Sequence, residues 1–295
     1  MQHTEPETSV SSLPGKDMER VLAALVAGRS RVERLELGER TVWIKRYAGR
    51  EGMMRMRAQS VLASLLREPI LRPSPVLPPE QMIERELRKM AALSAAGFRT
   101  AKVLYRGPRA LVLENLGRTL GGDMSDAKGE PAVHDGLLLR AATEIGRLHR
   151  AGLCHGRPHP RDFVIDADSS FGFLDFEEDP QAVMPLASAQ ARDILLLFLQ
   201  IATRSLLPQT PGEAYAAWAS RATPAAVAEL SRIVARLTPL LTAMRAVQRV
   251  KPGQDVARFI AAVETLQRLA DSPSDPVSGG GASQAAPSPN KAKTP

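Results

Sequence analysis

Apolar and polar residues alternate near the start of the chain, whereas apolar residues recur at helical spacing in its second half. The alternation predicts four β-strands: Arg31–Leu37, Thr41–Tyr47, Ala101–Arg106 and Ala110–Glu114. In the second strand Val42 and Ile44 should share one face and Lys45 the other, because successive side chains point to opposite sides. Helices are predicted over Met18–Ala27 and, ahead of Gly97, over Glu80–Ala96.

Beyond Gly117 the helical spacing dominates, and four helices are predicted: His134–Ala151, residues 188–206, Thr223–Arg249 and Asp255–Leu269. The stretch 188–206 is apolar almost all round, which is typical of a helix buried on every side. Between the first two helices, the runs FVID and FGFLD predict a short β-hairpin.

A β-rich part followed by a mainly helical part is typical of an α+β fold with two lobes and a cleft between them. The predicted organisation is as follows: a disordered segment 1–17, a small lobe 18–114, a helical lobe 115–270 and a disordered tail 271–295. The two end segments are polar or rich in Ser, Pro, Gly and Ala, so they bury too little apolar surface to offset the chain entropy lost on folding.

Composition narrows the class of protein. Hydrophobic residues make up 44% of the 295 residues, which excludes a fibrous or wholly disordered chain. A single cysteine, Cys154, excludes an intramolecular disulfide framework and a cysteine-based zinc cluster. No apolar run suits a transmembrane helix or a signal peptide, which predicts a cytoplasmic protein. The net charge of +7 favours anionic partners, but 4% aromatic residues and scattered basic residues argue against nucleic acid.

Lys45 stands in an apolar, aromatic strand, and two interpretations of it remain open. It either reaches solvent from an edge strand or points into a cleft, where a carboxylate would hold it against phosphate. The second interpretation needs an acid on a nearby helix. Glu86 fits, because Met90 and Leu93 at i+4 and i+7 place it on the inward face, and Glu84 is its local competitor.

Asp162 and Asp175 stand at the two ends of the predicted hairpin, which should bring them together. Two carboxylates suit Mg²⁺, which keeps several waters and takes further oxygen ligands from phosphate. The alternative is that both are surface acids at strand ends. His155 and His159 have the spacing of a helical zinc pair, but the glycine and prolines among them forbid a helix, so zinc is not favoured.

Five motifs, taken in order, resemble the protein-kinase-like superfamily, and in particular the bacterial lipopolysaccharide kinases that phosphorylate Kdo or heptose sugars. The motifs are VWIKRY, Glu86 on its helix, LVLENLG, LHRAGLCHGRPHPRDF and FLDFEED. The resemblance covers roughly residues 30–205. It implies a β-rich N-lobe and a helical C-lobe, with ATP and Mg²⁺ bound in the cleft between them.

The resemblance also implies roles for individual residues. Lys45 would contact the nucleotide phosphates and Glu86 would pair with Lys45. The hinge residues that present backbone groups to adenine would be Glu114, Asn115 and Leu116. Asp175 would match the metal-binding aspartate of the D-F-G element, with Asp162 as the second metal ligand. Asp193 resembles the aspartate that anchors the catalytic loop.

The catalytic loop departs from the kinase pattern H-x-D-x-x-x-x-N. His155 matches its histidine, but Arg157 occupies the position of the catalytic base and Asp162 that of the asparagine. By this match the predicted catalytic residues are His155, Arg157 and Asp162. An arginine stays protonated and accepts no proton, although it can stabilise charge on the transferred phosphoryl group. Asp162 would supply the base if the loop were shifted. The glycine-rich loop is reduced to Gly38, and Glu177 replaces the D-F-G glycine.

Two functions from different classes follow. The first is a phosphotransferase acting on a hydroxyl of a sugar or lipid-linked saccharide, with a protein Ser/Thr hydroxyl as a further acceptor class. The second is a nucleotide-binding pseudokinase that serves as a regulatory or scaffold module. An inserted amphipathic helix is predicted over residues 53–71; it either packs on the small lobe or makes peripheral contact with the anionic inner face of the membrane.

Overall fold

A computed structural model of the chain describes residues 13–47, 70, 74–75, 77–166, 168–250 and 253–271. The predicted tail 271–295 lies outside these residues apart from its first, and the predicted amphipathic helix 53–71 lies outside them apart from Ile70. At the N-terminus, the first helix begins at Gly15 rather than at Met18, because Leu13 is buried against the small lobe and holds this segment in place.

The small lobe combines two helices with most of the strands. Its elements are α1 (Gly15–Ala27), β1 (Val32–Leu37), β2 (Arg40–Arg46), α2 (Pro79–Ala95), β3 (Arg99–Thr100), β4 (Val103–Arg106) and β5 (Ala110–Glu114). The four longer strands form an antiparallel sheet in the order β1-β2-β5-β4. A tight turn joins β1 to β2, with Leu37 paired to Arg40 and Gly38 in the left-handed region at φ +59°.

The predicted faces of β2 are confirmed. Val42 and Ile44 are buried in a cluster with Val21 of α1 and Val112 of β5, so α1 covers that face of the sheet. Lys45 lies on the opposite face and is also buried. The sheet therefore turns an ionisable side chain toward the rest of the molecule.

The helical lobe follows β5. Its elements are α3 (Leu120–Asp126), α4 (Pro131–Arg150), β6 (Phe163–Ile165), β7 (Phe171–Phe173), α5 (Leu186–Arg204), α6 (Thr210–Ala219), α7 (Pro224–Leu237), α8 (Leu240–Val250) and α9 (Gln254–Asp271). The predicted hairpin is confirmed as the antiparallel pair β6–β7, and β7 also pairs in parallel with β3. The predicted burial of α5 is likewise confirmed, since Ile194, Leu197 and Phe198 are fully enclosed.

The prediction of a single helix over Thr223–Arg249 is wrong. The chain forms α7 and α8 instead, separated at Pro239, which lacks the amide N–H that a continuous helix requires. The cap at Thr223 is confirmed, because its side chain accepts a hydrogen bond from the amide of Ala226. Helix α6 was not predicted, since its alanine-rich sequence carries little apolar periodicity.

The predicted two-lobed α+β fold is confirmed by this order of elements, from a strand-rich small lobe into a helical lobe. Phe163, Phe173 and Leu116 belong to one continuous hydrophobic core that also contains buried residues of α2 and α5. Among the described residues, no helix is both long enough and apolar enough to cross a membrane.

Candidate functional site

Lys45 and Glu86 form a buried ion pair between the sheet and helix α2. The Lys45 Nζ atom lies 2.8 Å from Glu86 Oε1, and the two residues are 7% and 1% exposed. Strand β2 is flanked by β1 and β5, so the interpretation of Lys45 as an edge-strand residue in solvent is wrong. The competitor Glu84 instead pairs with Arg106 at the surface.

Tyr47 holds the other side of the same carboxylate, a contact that sequence reasoning missed. Its hydroxyl donates a hydrogen bond to Glu86 Oε2. Burial and the negative charge of Glu86 raise the pKa of Tyr47 above its usual range, which keeps the hydroxyl protonated as a donor. The signal was present in the sequence, because Tyr47 follows Lys45 by two positions and must share its face.

Two acids from the helical lobe also reach Lys45. The Nζ atom lies 2.7 Å from Asp175 Oδ1 and 3.1 Å from Glu177 Oε1. Burial disfavours the charged lysine, but the carboxylates of Glu86, Asp175 and Glu177 outweigh it and raise the pKa of Lys45. Burial likewise opposes the charged form of Asp175, and the nearby Lys45 ammonium nevertheless holds its pKa below the usual range. Both groups are therefore charged at neutral pH.

Glu177, which the resemblance matched to the D-F-G glycine, places its side chain between the two lobes. Besides contacting Lys45, its carboxylate forms an ion pair with Arg31, which precedes β1. Its backbone carbonyl accepts a hydrogen bond from Arg85 of α2 at 3.2 Å. Glu177 thus links the two lobes and adds a third acid beside the lysine.

Asp162 ends a short 3₁₀ turn, Pro160–Asp162, and the residue is only 5% exposed. The Oδ2 atom is buried and has no hydrogen-bond partner in the part of the chain that the structure describes. Burial and the charge of Asp175 raise the pKa of Asp162 to about 7. The amide of Leu174, the residue before Asp175, donates a backbone hydrogen bond of 2.8 Å to the carbonyl oxygen of Asp162. This bond joins the two segments that carry the acids.

This pair of acids fits Mg²⁺ bound together with phosphate. Asp162 supplies an oxygen without a partner, Asp175 a charged carboxylate, and the ion would take its other ligands from phosphate and water. The described residues contain no cluster of three or more His, Cys, Asp or Glu that would hold a metal by itself. The two histidines make other contacts: His155 Nε2 lies 3.0 Å from the carbonyl oxygen of Leu174, and His159 Nδ1 accepts a hydrogen bond from the amide of Arg161.

Arg157, which the resemblance matched to the position of the kinase base, lies beside the acids. Its side chain is 48% exposed, with Nη2 at 3.9 Å from Asp175 Oδ2 and Nε at 3.6 Å from Glu178 Oε1. Neither contact is short enough to fix the guanidinium group. Arg157 is therefore a positive charge next to the acids that remains free to turn toward another anion.

His155 is enclosed rather than presented to the cleft. Its ring lies between Phe163 and Phe176, with centroid distances of 5.7 and 5.4 Å, and its Nε2 atom is 3.0 Å from the carbonyl oxygen of Leu174. Burial lowers its pKa to about 4, so the ring is neutral. This burial does not suit the catalytic role predicted for His155, and the contacts are those of a positioning residue.

Asp193 of α5 fixes the loop that contains Arg157, as the resemblance implied. Its carboxylate accepts hydrogen bonds from the amides of His155 at 2.5 Å and Gly156 at 2.8 Å. Gly156 has a φ of +109°, and a Cβ atom there would lie 2.5 Å from the carbonyl oxygen of Glu178. Backbone conformation and close approach both require glycine at this position.

The predicted hinge residues follow directly from β5. Glu114 ends the strand opposite Val42, and Asn115 and Leu116 lead into the helical lobe. The Asn115 side-chain oxygen accepts hydrogen bonds from Trp43 Nε1 at 3.0 Å and from the amide of Gly117 at 3.2 Å. The Asn115 side chain thus stabilises the connection between the lobes, while contact with adenine by this segment remains a prediction.

Comparison with known proteins gave matches among solved structures only. No family model matches the chain, and no curated protein does. The chain is similar to WaaP in complex with acyl carrier protein, with 17% identity over 82% of this chain and 98% of that one and a TM-score of 0.45. It is also similar to a MAP kinase from Leishmania major (13% identity, 86% and 83% covered, TM-score 0.37). A third is Rv3197 from Mycobacterium tuberculosis in complex with erythromycin (16% identity, 88% and 80% covered, TM-score 0.34).

Proposed function

We propose that the protein is an ATP- and Mg²⁺-dependent phosphotransferase that acts on a hydroxyl group of a sugar or a lipid-linked saccharide. The observation that carries this proposal is the convergence of charged groups from both lobes. Lys45 Nζ lies 2.8 Å from Glu86 and 2.7 Å from Asp175, and Asp162 lies beside Asp175 with an unpaired oxygen. One triphosphate with its metal would satisfy all of these groups.

Each residue has a defined task in this proposal. Lys45 binds the phosphates, and Glu86 fixes its position because Tyr47 holds the other oxygen of the same carboxylate. Asp162 and Asp175 would hold Mg²⁺, which when bound neutralises charge on the phosphates. The hinge over residues 114–116 would offer backbone groups to adenine. The same proposal includes a cytoplasmic location for the protein. It also includes contact between the segment 53–71 and the inner face of the membrane.

The transfer itself forms a bond from the acceptor oxygen to the γ-phosphorus and breaks the bond to the bridging oxygen, so that ADP leaves. The transition state is loose, and positioning with charge stabilisation supplies most of the acceleration. Arg157 is placed to stabilise that charge, since it lies beside Asp175 and is held only by long contacts. The hydroxyl proton passes to water, or to Asp162 if a shifted loop leaves that carboxylate off the metal; general-base help contributes roughly 10²–10⁴-fold.

A second candidate function is a nucleotide-binding pseudokinase with a regulatory or scaffold role. Two observations favour it: Arg157 stands where the base would be, and Glu177 lies 3.1 Å from the Lys45 Nζ atom that would contact phosphate. A protein in which Lys45 remains with its three acids would bind nucleotide weakly and turn it over slowly.

Thermal unfolding with and without Mg·ATP, measured alongside ATP turnover, tests both functions on wild type, Lys45→Ala and Asp175→Ala. Lys16→Ala on α1, an exposed lysine, is the matched control. A Mg-dependent rise in Tm with turnover, both lost in Lys45→Ala and Asp175→Ala but kept in Lys16→Ala, supports the phosphotransferase. A rise in Tm without turnover supports the pseudokinase. No rise in the wild-type protein overturns both.

A further inference from the structure

Lys89 of helix α2 reaches from the small lobe to two loops of the helical lobe. Its Nζ atom donates hydrogen bonds to the carbonyl oxygen of His155 at 2.6 Å and to that of Glu178 at 2.7 Å. Both distances are short, as expected of hydrogen bonds from a charged donor. Lys89 follows Glu86 by three positions, so the two side chains lie on one side of the helix. Helix α2 therefore holds Lys45 through Glu86 and contacts the catalytic loop through Lys89.

The carbonyl groups that accept these bonds belong to irregular backbone. Gly156 has a φ of +109° and Asp175 a φ of +61°, and neither lies in a helix or a strand. Carbonyl groups in such segments need donors from elsewhere, because no regular backbone ladder supplies them. Helix α2 provides two of these donors: Lys89, and Arg85, which binds the carbonyl oxygen of Glu177 at 3.2 Å. The conformation of both loops thus depends on side chains from the other lobe.

The two loops carry groups that are proposed to act in phosphoryl transfer. A Cβ atom on Gly156 would lie 3.1 Å from Lys89 Nζ, so the ammonium group lies against the residue before Arg157. Asp175 stands three positions before Glu178, whose carbonyl oxygen is the second acceptor. Lys89 bridges the two carbonyl groups and so fixes the separation of the loops. The 3.9 Å distance from Arg157 Nη2 to Asp175 Oδ2 depends on that separation.

Two simpler interpretations of Lys89 do not fit its contacts. A solvated surface lysine would be exposed, but Lys89 is half-buried, and it is the neighbouring Arg88 that is exposed on this helix. A lysine that only balances charge would face a carboxylate, whereas the hydrogen-bond partners of Lys89 within the described ranges are two backbone carbonyl oxygens. A third interpretation, a lysine that stabilises the fold without affecting the site, makes a different experimental prediction.

We propose that Lys89 is a positioning residue that couples helix α2 to the catalytic loop and thereby sets the place of Arg157 relative to Asp175. The inference rests on the proposed phosphotransferase and adds to it a residue that acts through the loops, since two of the three N–H donors of Lys89 are bound to backbone carbonyl groups. The helix that orients Lys45 then also orients the charge beside the transferred phosphoryl group. A shift of α2 alters both parts of the site together.

Steady-state ATP turnover tests this coupling on Lys89→Met, which keeps the length of the side chain, and on Lys89→Arg, which keeps its charge. Arg88→Met removes the exposed neighbouring cation and is the matched control. In Lys89→Met we expect kcat to fall roughly 100-fold and KM for ATP to change less than about threefold, because the loops shift while Lys45 stays paired with Glu86. Lys89→Arg should retain at least about one tenth of the wild-type kcat, and the control should match wild type.

Amide hydrogen exchange reports the same coupling without any catalysis. The amides of His155 and Gly156 donate hydrogen bonds to Asp193. In Lys89→Met they should exchange at least about 10-fold faster than in wild type, because the loop opens more readily once its carbonyl contacts are lost. Exchange in helix α4 is the internal reference and should not change, nor should loop exchange in Arg88→Met.

The outcomes separate this inference from the proposed function. A wild-type kcat in Lys89→Met, even with lower stability, overturns the inference, as does an equal loss of kcat in Arg88→Met or unchanged loop exchange. A wild-type protein without ATP turnover, in which loop exchange still depends on Lys89, overturns the phosphotransferase and leaves the coupling of α2 to the loop standing. If Lys89→Met fails to fold, Lys89→Gln replaces it; this variant keeps an N–H donor and should lower kcat about 10-fold.

Discussion

The hydroxyl group of Tyr47 donates a hydrogen bond to one carboxylate oxygen of Glu86, while the other oxygen of that carboxylate lies 2.8 Å from Lys45 Nζ. Lys45 lies on β2 and Tyr47 directly follows the last residue of that strand, so the two side chains, two positions apart, hold Glu86 from the same side. Since all three are buried, removal of any one leaves a polar partner unsatisfied in the interior. The geometry of Lys45 thus depends on a residue that would not itself touch nucleotide.

Tyr47→Phe removes this hydrogen bond without removing the ring. We expect the free energy of unfolding to fall by about 1–3 kcal/mol, because Glu86 loses a buried donor. The rise in Tm produced by Mg·ATP should also shrink, since Glu86 then holds Lys45 less firmly. Urea unfolding and thermal shift check both effects. Tyr105→Phe on β4 is the control. Equal losses of stability and of the Mg·ATP shift in both variants would contradict a specific role for Tyr47.

Asp162→Asn should stabilise the protein without nucleotide and weaken its binding of Mg·ATP. The pKa of Asp162 is raised from 3.8 to about 7, so the native state holds a proton more tightly than the unfolded state does. Stability contributed by this group therefore falls as the pH rises from about 4 to 7. At pH 8 the asparagine variant should be more stable than wild type by up to about 4 kcal/mol, a gain absent at pH 4.

Urea unfolding at pH 4, 6 and 8, with and without Mg·ATP, measures both effects of that substitution. Asp126→Asn, which alters an exposed acid paired with Arg118, is the control and should show neither effect. An asparagine variant that is less stable than wild type at pH 8, or that keeps the full Mg·ATP shift, would contradict the assignment of Asp162 as an unpaired metal ligand.

Arg157→Ala tests charge stabilisation at the loop. If Arg157 stabilises the transferred phosphoryl group, kcat should fall at least about 100-fold while KM for ATP changes little. Arg157→Lys should retain an intermediate rate, because it keeps the charge but not the planar guanidinium. Steady-state kinetics on wild type and on the alanine, lysine and aspartate variants at position 157 makes the measurement. Faster turnover in Arg157→Asp would show instead that the natural arginine hinders catalysis.

His155 should make the protein less stable in mild acid. Burial lowers the pKa of His155 from 6.5 to about 4. Between these two pH values the unfolded state binds a proton at this residue and the folded state does not, so the free energy of unfolding falls as the pH is lowered. The loss should reach roughly 3 kcal/mol between pH 6.5 and pH 4. Urea unfolding across this range, compared with His155→Gln, isolates the contribution. Identical pH profiles for the two proteins would argue against a neutral His155.

Gly156→Ala should be far more harmful than Gly152→Ala, although both glycines have positive φ angles. A Cβ atom at Gly156 would lie 2.5 Å from the carbonyl oxygen of Glu178, whereas the space around Gly152 is open. Gly152→Ala should cost about 1–2 kcal/mol from backbone conformation alone. Gly156→Ala should cost more and displace the loop. Comparable unfolding free energies for the two variants would refute the close approach.

Local patterns in the sequence determined much of the fold. Alternation predicted the strands and the opposite faces of Val42 and Lys45, since side-chain direction in a strand is set by the two-residue repeat. Helical spacing placed Glu86 inward in the same way. The break at Pro239 was missed even though the residue that causes it is visible in the sequence. The segment 53–71 lies outside the described residues, so its prediction stays untested.

Only the tertiary structure decided which side chains meet. Nothing in the local pattern shows that Glu177 reaches Lys45 or that His155 is enclosed by phenylalanines. Periodicity specifies the face on which a residue lies, because it reflects the geometry of one element. Distances between elements depend on how helices and sheets pack. The sequence by itself therefore determined the elements and their buried faces, and packing decided the electrostatic environment of the site.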